Sequence, residues 1–448
     1  MSVAISSRAD ARPRWRPYAA YRPVPVPWLA AVPNQWNIKR LKYAVRLVNH
    51  KTEDSGGLPY VGLEHIESWS GRRIEPEMPV VPDGMSNVFA SGDVLFGKLR
   101  PYLAKVLHAR EAGVCTSEAL VLRPQILQPA FLTYWMLNRD LISIVDGSTY
   151  GSKMPRANWE FIGNLPMYVP PLDEQQAIAA FLDRETDRID FLIAKKERLI
   201  ELLQEKRTAL ISHAVTKGLN PNAPMKDSGI EWIGRIPKSW TVKRVKYLAR
   251  IVGRIGFRGY TTADQVSEGN GALTLGALHI SSIGTIDLSA PIFISWDKYY
   301  ESPEIMVTKG DILVVQRGST CGKVGWADSD YGPTTINPSL VLLKEPVISS
   351  EYLFHCLSSC QVKSQFDRIW GTTAIPMLSQ MQIGQALVCV PDSSEIDSIV
   401  QCVRRECRRI DELVDRVNNI IERLREYRSA LISAAVTGKI NVREEDAA

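Results

Sequence analysis

The sequence is poor in residues that staple a fold or ligate a metal. Seven cysteines are spread over 448 residues: Cys115, Cys321, Cys356, Cys360, Cys389, Cys402 and Cys407. Their odd number and uneven placement exclude a disulfide framework and point to reduced thiols in a cytoplasmic protein. Six histidines (His50, His65, His108, His213, His279 and His355) are scattered, and Cys356 and Cys360 stand alone on one helical patch. No Cys/His group has zinc spacing. Long apolar runs are missing too. The best candidate, 181–203, is broken by Asp183, Arg184, Glu185, Asp187, Arg188 and Asp190, so nothing reaches the roughly 18 residues of a membrane span. The first thirty residues hold no apolar stretch of the kind a secretory signal needs. Charge of one sign is scarcely in excess: 54 Lys+Arg against 49 Asp+Glu leave +5, which excludes a histone-like chain. With 45% hydrophobic and 23% charged residues, the composition is globular, and the length suggests about three domains.

Catalytic motifs are also lacking. Gly97-Lys98 has neither the earlier glycine nor the following Ser/Thr of a phosphate-binding loop. Gly269, Gly271 and Gly276 are spaced too loosely for a dinucleotide fingerprint, and Asn337-Pro338-Ser339-Leu340 lacks the second proline and the aromatic of an amino-methyltransferase motif. Asp93 and Asp311 each follow a glycine and precede a β-like run, which suits a turn better than a metal site. The chain reads as a binding module that holds no metal or cofactor itself.

What is present is repetition. Pro33-Asn-Gln-Trp36-Asn-Ile-Lys39-Arg40-Leu-Lys42-Tyr43 returns as Pro237-Lys-Ser-Trp240-Thr-Val-Lys243-Arg244-Val-Lys246-Tyr247, displaced by 240 − 36 = 204, and Trp28 pairs with Trp232. Gly92-Asp93 and Lys105-Val106 return as Gly310-Asp311 and Lys323-Val324, displaced by 218. Gly147-Ser148-Thr149 returns as Gly371-Thr372-Thr373, Arg188-Ile189-Asp190 as Arg409-Ile410-Asp411, and Ala209-Leu-Ile-Ser212 as Ala430-Leu-Ile-Ser433. A unit of about 210 residues has been duplicated in tandem. Each copy mixes short β-like runs with helical patches and ends in one long helix, starting near Asp173 or Ser393 and stopping at Gly218 or Gly438.

These helices carry a heptad pattern. Ile410, Leu413, Val417, Ile420, Leu424, Tyr427 and Leu431 are spaced 3, 4, 3, 4, 3, 4. The equivalent positions in the first helix are Ile189, Leu192, Lys196, Leu199, Leu203, Lys206 and Leu210, where lysine stems can cover apolar surface. An antiparallel coiled coil between the two helices is the expected partner arrangement, with a globular domain at each end and pseudo-two-fold symmetry. The expected class is α+β.

The small net charge hides concentration. No acid occurs from 11 to 52 or from 232 to 263, while each stretch is rich in Arg and Lys. Paired basic stretches suggest a polyanion gripped twice. Candidate contacts are Lys39, Arg40, Lys42, Lys98, Arg100, Lys105, Lys153 and Arg156 in the first copy, and Lys243, Arg244, Lys246, Arg317 and Lys323 in the second. Arginines and prolines from Arg8 to Pro23 suggest a disordered tail. Two rival readings are a protein-binding scaffold with incidental basic patches and a self-contained nuclease.

Three segments resemble a known family. They are Asp227-Ser-Gly-Ile-Glu-Trp232-Ile-Gly-Arg-Ile-Pro237-Lys-Ser-Trp240, the helix start Leu165-Pro-Met-Tyr-Val-Pro170-Pro171-Leu-Asp-Glu174-Gln175-Gln176, and the helix exits at Ala209–Gly218 and Ala430–Gly438. Together they resemble the specificity subunit of type I restriction–modification systems. The second helix start, Val-Pro391-Asp-Ser-Ser-Glu395, and the first opening segment, Pro27-Trp28-Leu-Ala-Ala-Val-Pro33, depart from that pattern. The resemblance implies a non-catalytic, cytoplasmic protein that reads a bipartite, asymmetric site in double-stranded DNA. Beyond the disordered basic tail, set at 1–24, it implies target recognition domains at 25–171 and 236–391, spacer helices at 172–218 and 392–438, a linker at 219–235 and a tail at 439–448. It further implies two methyltransferase and two motor/nuclease partner subunits. Those partners, not this chain, would bind S-adenosylmethionine, ATP and Mg²⁺.

Overall fold

The computed structural model describes residues 16–26, 29–78, 80, 84–151, 153–254, 259–370 and 376–443. The chain forms two compact units, Met1–Lys196 with Asn418–Ala448, and Glu197–Val417. Each long helix, Leu172–Lys217 or Ser393–Val436, therefore contributes one part to each unit.

In the first unit a four-stranded antiparallel sheet has the order Val45–Val48, Ala119–Pro124, Val94–Gly97, Val106–His108. The second unit repeats it as Arg250–Gly253, Leu340–Lys344, Ile312–Val315, Val324–Trp326. Successive strand residues face opposite sides. Val94 and Phe96 join one core cluster with Phe131, Leu132 and Trp135, while Leu95 joins another with Ile66, Leu107 and Val121. Ile312 and Val314 are divided from Leu313 and Val315 in the same way. Both faces are covered, which is why these strands read as apolar runs without alternation.

The units diverge in a second sheet. Its order in the first unit is Lys51–Thr52, Ser86–Phe89, Gly113–Thr116, Tyr60–Val61. In the second it is Gln265–Val266, Phe293–Ser295, Gly271–Leu275, Thr334–Ile336. The parallel pair is kept, but the inner member is Gly113–Thr116 in one unit and Gly271–Leu275 in the other.

The repeated motifs meet at one place in each unit. Asn37–Arg40 pairs antiparallel with Pro166–Val169, the strand leading into the first long helix, and Thr241–Arg244 pairs likewise with Leu387–Val390. The fully buried Trp36 donates its indole N–H to Glu174 Oε1 at 2.9 Å, and Trp240 donates to Glu395 Oε2 at 2.8 Å. Each ring buries roughly 150–250 Å², worth about 4–6 kcal/mol at about 25 cal/mol per Å². The other helix ends against the same ring. A Cβ on Gly438 would lie 2.5 Å from Pro33 and 3.2 Å from Trp36, and one on Gly218 would lie 3.2 Å from Trp240. Both glycines have positive φ (73° and 74°), the left-handed stop that glycine favours.

Within each unit the two helix segments run antiparallel. In the first, Glu174 and Gly438 share Trp36, and one step along Asp190 pairs with Arg428 at 2.9 Å. In the second, Glu395 and Gly218 share Trp240, and Asp411 pairs with Arg207. The two ion pairs are the same pair repeated, since 411 − 190 = 428 − 207 = 221. Arg428 also donates to the carbonyls of Trp69 and Ser70.

The expected seam is half displaced. Ile189, Leu203, Leu210, Ile410, Val417, Leu424 and Leu431 are buried or half-buried, but Leu192, Leu199, Leu413, Ile420 and Tyr427 are exposed. The covered positions in their place are Ile193, Ile200, Val414, Ile421 and Arg428. Apolar doublets such as Leu413-Val414 and Ile420-Ile421 allow heptads of either phase, and the packing selects the later member.

The expected disordered tail also needs correction. Residues 1–15 lie outside the described residues, but Tyr18 is buried, with its ring edge-on to Trp36 at 5.9 Å between centroids, and Tyr21–Val26 forms a hairpin with Leu29–Pro33. The amide of Asn441 donates to the Arg16 carbonyl at 2.8 Å, so these chain segments close the first unit together. Trp28 and Gly371-Thr372-Thr373 also lie outside the described residues.

Candidate nucleic-acid interface

The candidate cations fall into two clusters in the first unit, and into one cluster and the single Arg317 in the second. Lys39, Arg40 and Lys42 lie exposed on the strand Asn37–Arg40 and the turn after it, and Lys243, Arg244 and Lys246 occupy the same places in the second unit. Lys42 sits 5.4 Å above the Tyr43 ring and Lys246 sits 5.0 Å above the Tyr247 ring. Both tyrosines are more than 60% exposed, so each stack is a basic, aromatic surface feature. Arg40 is tied to the Asn164 side chain at 3.1 Å.

The second cluster joins residues distant in sequence. The Lys98–Arg100 backbone is stitched to Pro155–Ala157, with the Arg100 N–H donating to Pro155 O at 2.8 Å and the Ala157 N–H to Lys98 O at 2.9 Å. Tyr150 bridges to Arg156 from the other side. Lys98, Arg100, exposed Tyr150, Lys153 and Arg156 therefore share one loop surface. Glu118 holds Arg156 through a two-pronged pair at 3.0 and 3.3 Å, which raises the arginine's pKa. The second unit builds the same stitch from Gln316–Gly318 and Pro376–Leu378, presenting Arg317.

Two candidates are structural instead. Lys105 Nζ donates to the carbonyls of Leu63 and Ile66 at 2.7 and 2.8 Å, and Lys323 Nζ donates to that of Ile280 at 3.0 Å. A buried histidine precedes each isoleucine: His65 Nδ1 accepts from Gly62 N–H and His279 Nδ1 from Gly276 N–H. The signal was in the sequence, since Gly62-Leu-Glu-His65-Ile66 recurs as Gly276-Ala-Leu-His279-Ile280; these two histidines are a repeated capping device, not scattered residues. Asp93 and Asp311 close their turns by accepting from the amides of Ala90 and Thr308, with Arg123 and Lys344 as counter-charges. Among the described residues no cluster of three His, Cys, Asp or Glu could hold a metal, and no helix is long and apolar enough to cross a membrane.

Residues 51–202 match the type I restriction modification DNA specificity domain. The type I restriction enzyme MjaVIII specificity subunit of Methanocaldococcus jannaschii is 21% identical over 437 residues, spanning 92% of this chain and 94% of the relative. The EcoDI specificity subunit of Escherichia coli is 24% identical over 190 residues, 40% of this chain and 42% of that one. Along most of its length the chain resembles type I restriction–modification specificity subunits. The fold agrees: a chain solved in work on complex assembly and conformational transition of the type I R–M system aligns with a TM-score of 0.66 at 16% identity, covering 91% of this chain and 99% of that one. Of the candidate cations, those whose side chains make no hydrogen bond, ion pair or ring contact among the described residues are Lys39, Lys98, Arg100, Lys153, Lys243, Arg244 and Arg317.

Proposed function

We propose that residues 25–171 and 236–391 are target recognition domains, each reading one half of a bipartite, asymmetric duplex DNA site. The observation that carries this reading is the duplication: two units share a sheet and a loop stitch, and each offers exposed cations on the matching strand and turn. Lys39, Lys98, Arg100, Lys153, Lys243, Arg244 and Arg317 are the DNA contacts this reading favours. The segments 172–218 and 392–438 act as a spacer that fixes the number of unread base pairs, in register with half-sites that recur every 34–36 Å or so along duplex DNA. They also dock two methyltransferase subunits. Exposed Leu192, Leu199, Leu413, Ile420 and Tyr427 support docking, because a helix that faced only water would carry polar residues there. The chain itself is non-catalytic and cytoplasmic. S-adenosylmethionine, ATP and Mg²⁺ belong to the methyltransferase pair and two motor/nuclease subunits that complete the complex.

Co-expression with the cognate methyltransferase, followed by mapping of methylated adenines, tests this reading. A bipartite motif with an unread spacer is expected. Exchanging residues 25–171 for those of another specificity subunit should change one half-motif alone; a change in both halves or neither would overturn the modular assignment.

A further inference from the structure

One loop pair differs between the units in a way that packing does not explain. In the second unit its turning points are Gly318 and Gly322, with φ of 101° and 82°. Displaced by 218, the first unit has Arg100 (φ 50°, ψ 62°) and Ala104 (φ 45°, ψ 49°) in the same left-handed region. That conformation is unfavourable for any residue with a Cβ, and it persists only where the surroundings impose it. Ala104 has a packing reason, since it is fully buried in the core with Val94, Phe96 and Val106. Arg100 has none. Its backbone is pinned at both ends, the N–H donating to Pro155 O and the carbonyl accepting from Leu103 N–H at 3.0 Å. Its side chain is exposed and makes no bond among the described residues.

The local charge pattern agrees with a ligand. Lys98, Lys153 and Arg156 stand on the same loop surface, and Glu118, the acid stitched to it among the described residues, already pairs with Arg156. The second unit does not lack an arginine here; it carries Arg317 one place earlier, where the first unit has Leu99. The two loops share a backbone path and offer a guanidinium at positions one residue apart. A phosphate needs only a cation on a flexible stem. A base edge needs a planar fork held in a fixed place, because two parallel hydrogen bonds must form together.

We propose that Arg100 is a specificity-determining residue, whose guanidinium donates to O6 and N7 of one guanine in the half-site of the first recognition domain. This rests on the DNA-reading function proposed above and deepens it from contact to readout. Arg317, shifted by one position, reads the other half-site in a different register.

The test uses the full chain in complex with its methyltransferase. Arg100→Gly and Arg100→Asn both suit a left-handed backbone, so neither variant should lower the thermal midpoint. Binding is measured by fluorescence anisotropy on the cognate duplex and on duplexes changed one base pair at a time, across salt concentrations. Both variants should bind the cognate duplex at least about 10-fold more weakly. They should lose discrimination at a single G·C pair of the first half-site, with the second half-site and the salt slope unchanged. Uniform weakening on every duplex with the salt slope reduced by about one would make Arg100 a phosphate contact and overturn the proposal, as would binding identical to the unaltered chain. If the unaltered complex itself shows no sequence preference, the DNA-reading function fails, and not merely this residue.

Discussion

Trp36 and Trp240 show what a single repeated residue can reveal and what it hides. Their recurrence at a fixed displacement marked the duplication, and Glu174 and Glu395 were visible as first-turn acids. That each indole donates to the matching carboxylate, and that the end of the other helix closes over the ring, needed the fold. Lys105 and Lys323 were legible only as cations: nothing local says that their ammonium groups cap carbonyls some forty residues earlier. Glu351 belongs to the same class. Burial alone would push its carboxyl up, but His355 and Arg404 outweigh burial and hold it at about 2. Its ionised form therefore adds stability that is complete above the ordinary carboxylate range near 4.5 and is lost as pH falls towards 2. Glu351→Gln should cost on the order of 1–2 kcal/mol at pH 7. Urea midpoints at pH 7 and pH 3 check this, because the gap between variant and parent should narrow at the lower pH. An unchanged gap would mean that the carboxyl titrates normally.

At the scale of the element, the long helices were legible in length and start but not in phase. A heptad of apolar residues fixes a stripe, yet Leu192-Ile193, Leu199-Ile200, Leu413-Val414 and Ile420-Ile421 each offer two candidates for one position. The phase that packs is also marked by a charge. Arg207 and Arg428 occupy seam positions with Asp411 and Asp190 opposite, and an apolar heptad pattern passes over both. The phase makes neighbouring isoleucines unequal. Ile421 is 4% exposed and Ile420 is 41% exposed. Ile421→Ala should cost about 2–5 kcal/mol, while Ile420→Ala should stay within about 0.5 kcal/mol. Thermal unfolding of the two variants distinguishes them, and the reverse order would restore the seam expected from the sequence. Ile420→Ala should instead weaken co-purification with the methyltransferase, if the exposed stripe is the docking face.

At the scale of the molecule, the duplication was plain from the sequence, yet the compact units are not the repeats. Each repeat runs from a globular part into its own helix, whereas each unit takes its last packing segment from the helix of the other repeat. The first unit contains Leu431, Ile432, Ala435 and Val436 in its core, and the second contains Ile211, Ala214 and Val215. No alignment of the halves predicts this exchange, because it depends on which helix segments pack together and not on which residues match. The differing strand order of the smaller sheets was equally hidden, since those strands are two to five residues long and carry little periodicity. The sheet common to both units is the part that the repeat motifs could reach.

That exchange gives the two units different histories during synthesis. The second, Glu197–Val417, is one unbroken stretch and can be complete while the ribosome is still translating. The first has most of its chain in hand sooner but waits for the segment from Asn418 onward, so the usual N-terminal-first order is inverted. Until then the core cluster of Ile178, Leu182 and Ile189 lacks the Leu431, Ile432, Ala435 and Val436 side chains that complete it. A chain ending at Val417 should keep 236–391 resistant to limited proteolysis and leave 25–171 open to it. Equal resistance of the two halves would mean that the last helix segment is dispensable to the first unit. A stalled or truncated product would thus retain one folded unit and lose the other.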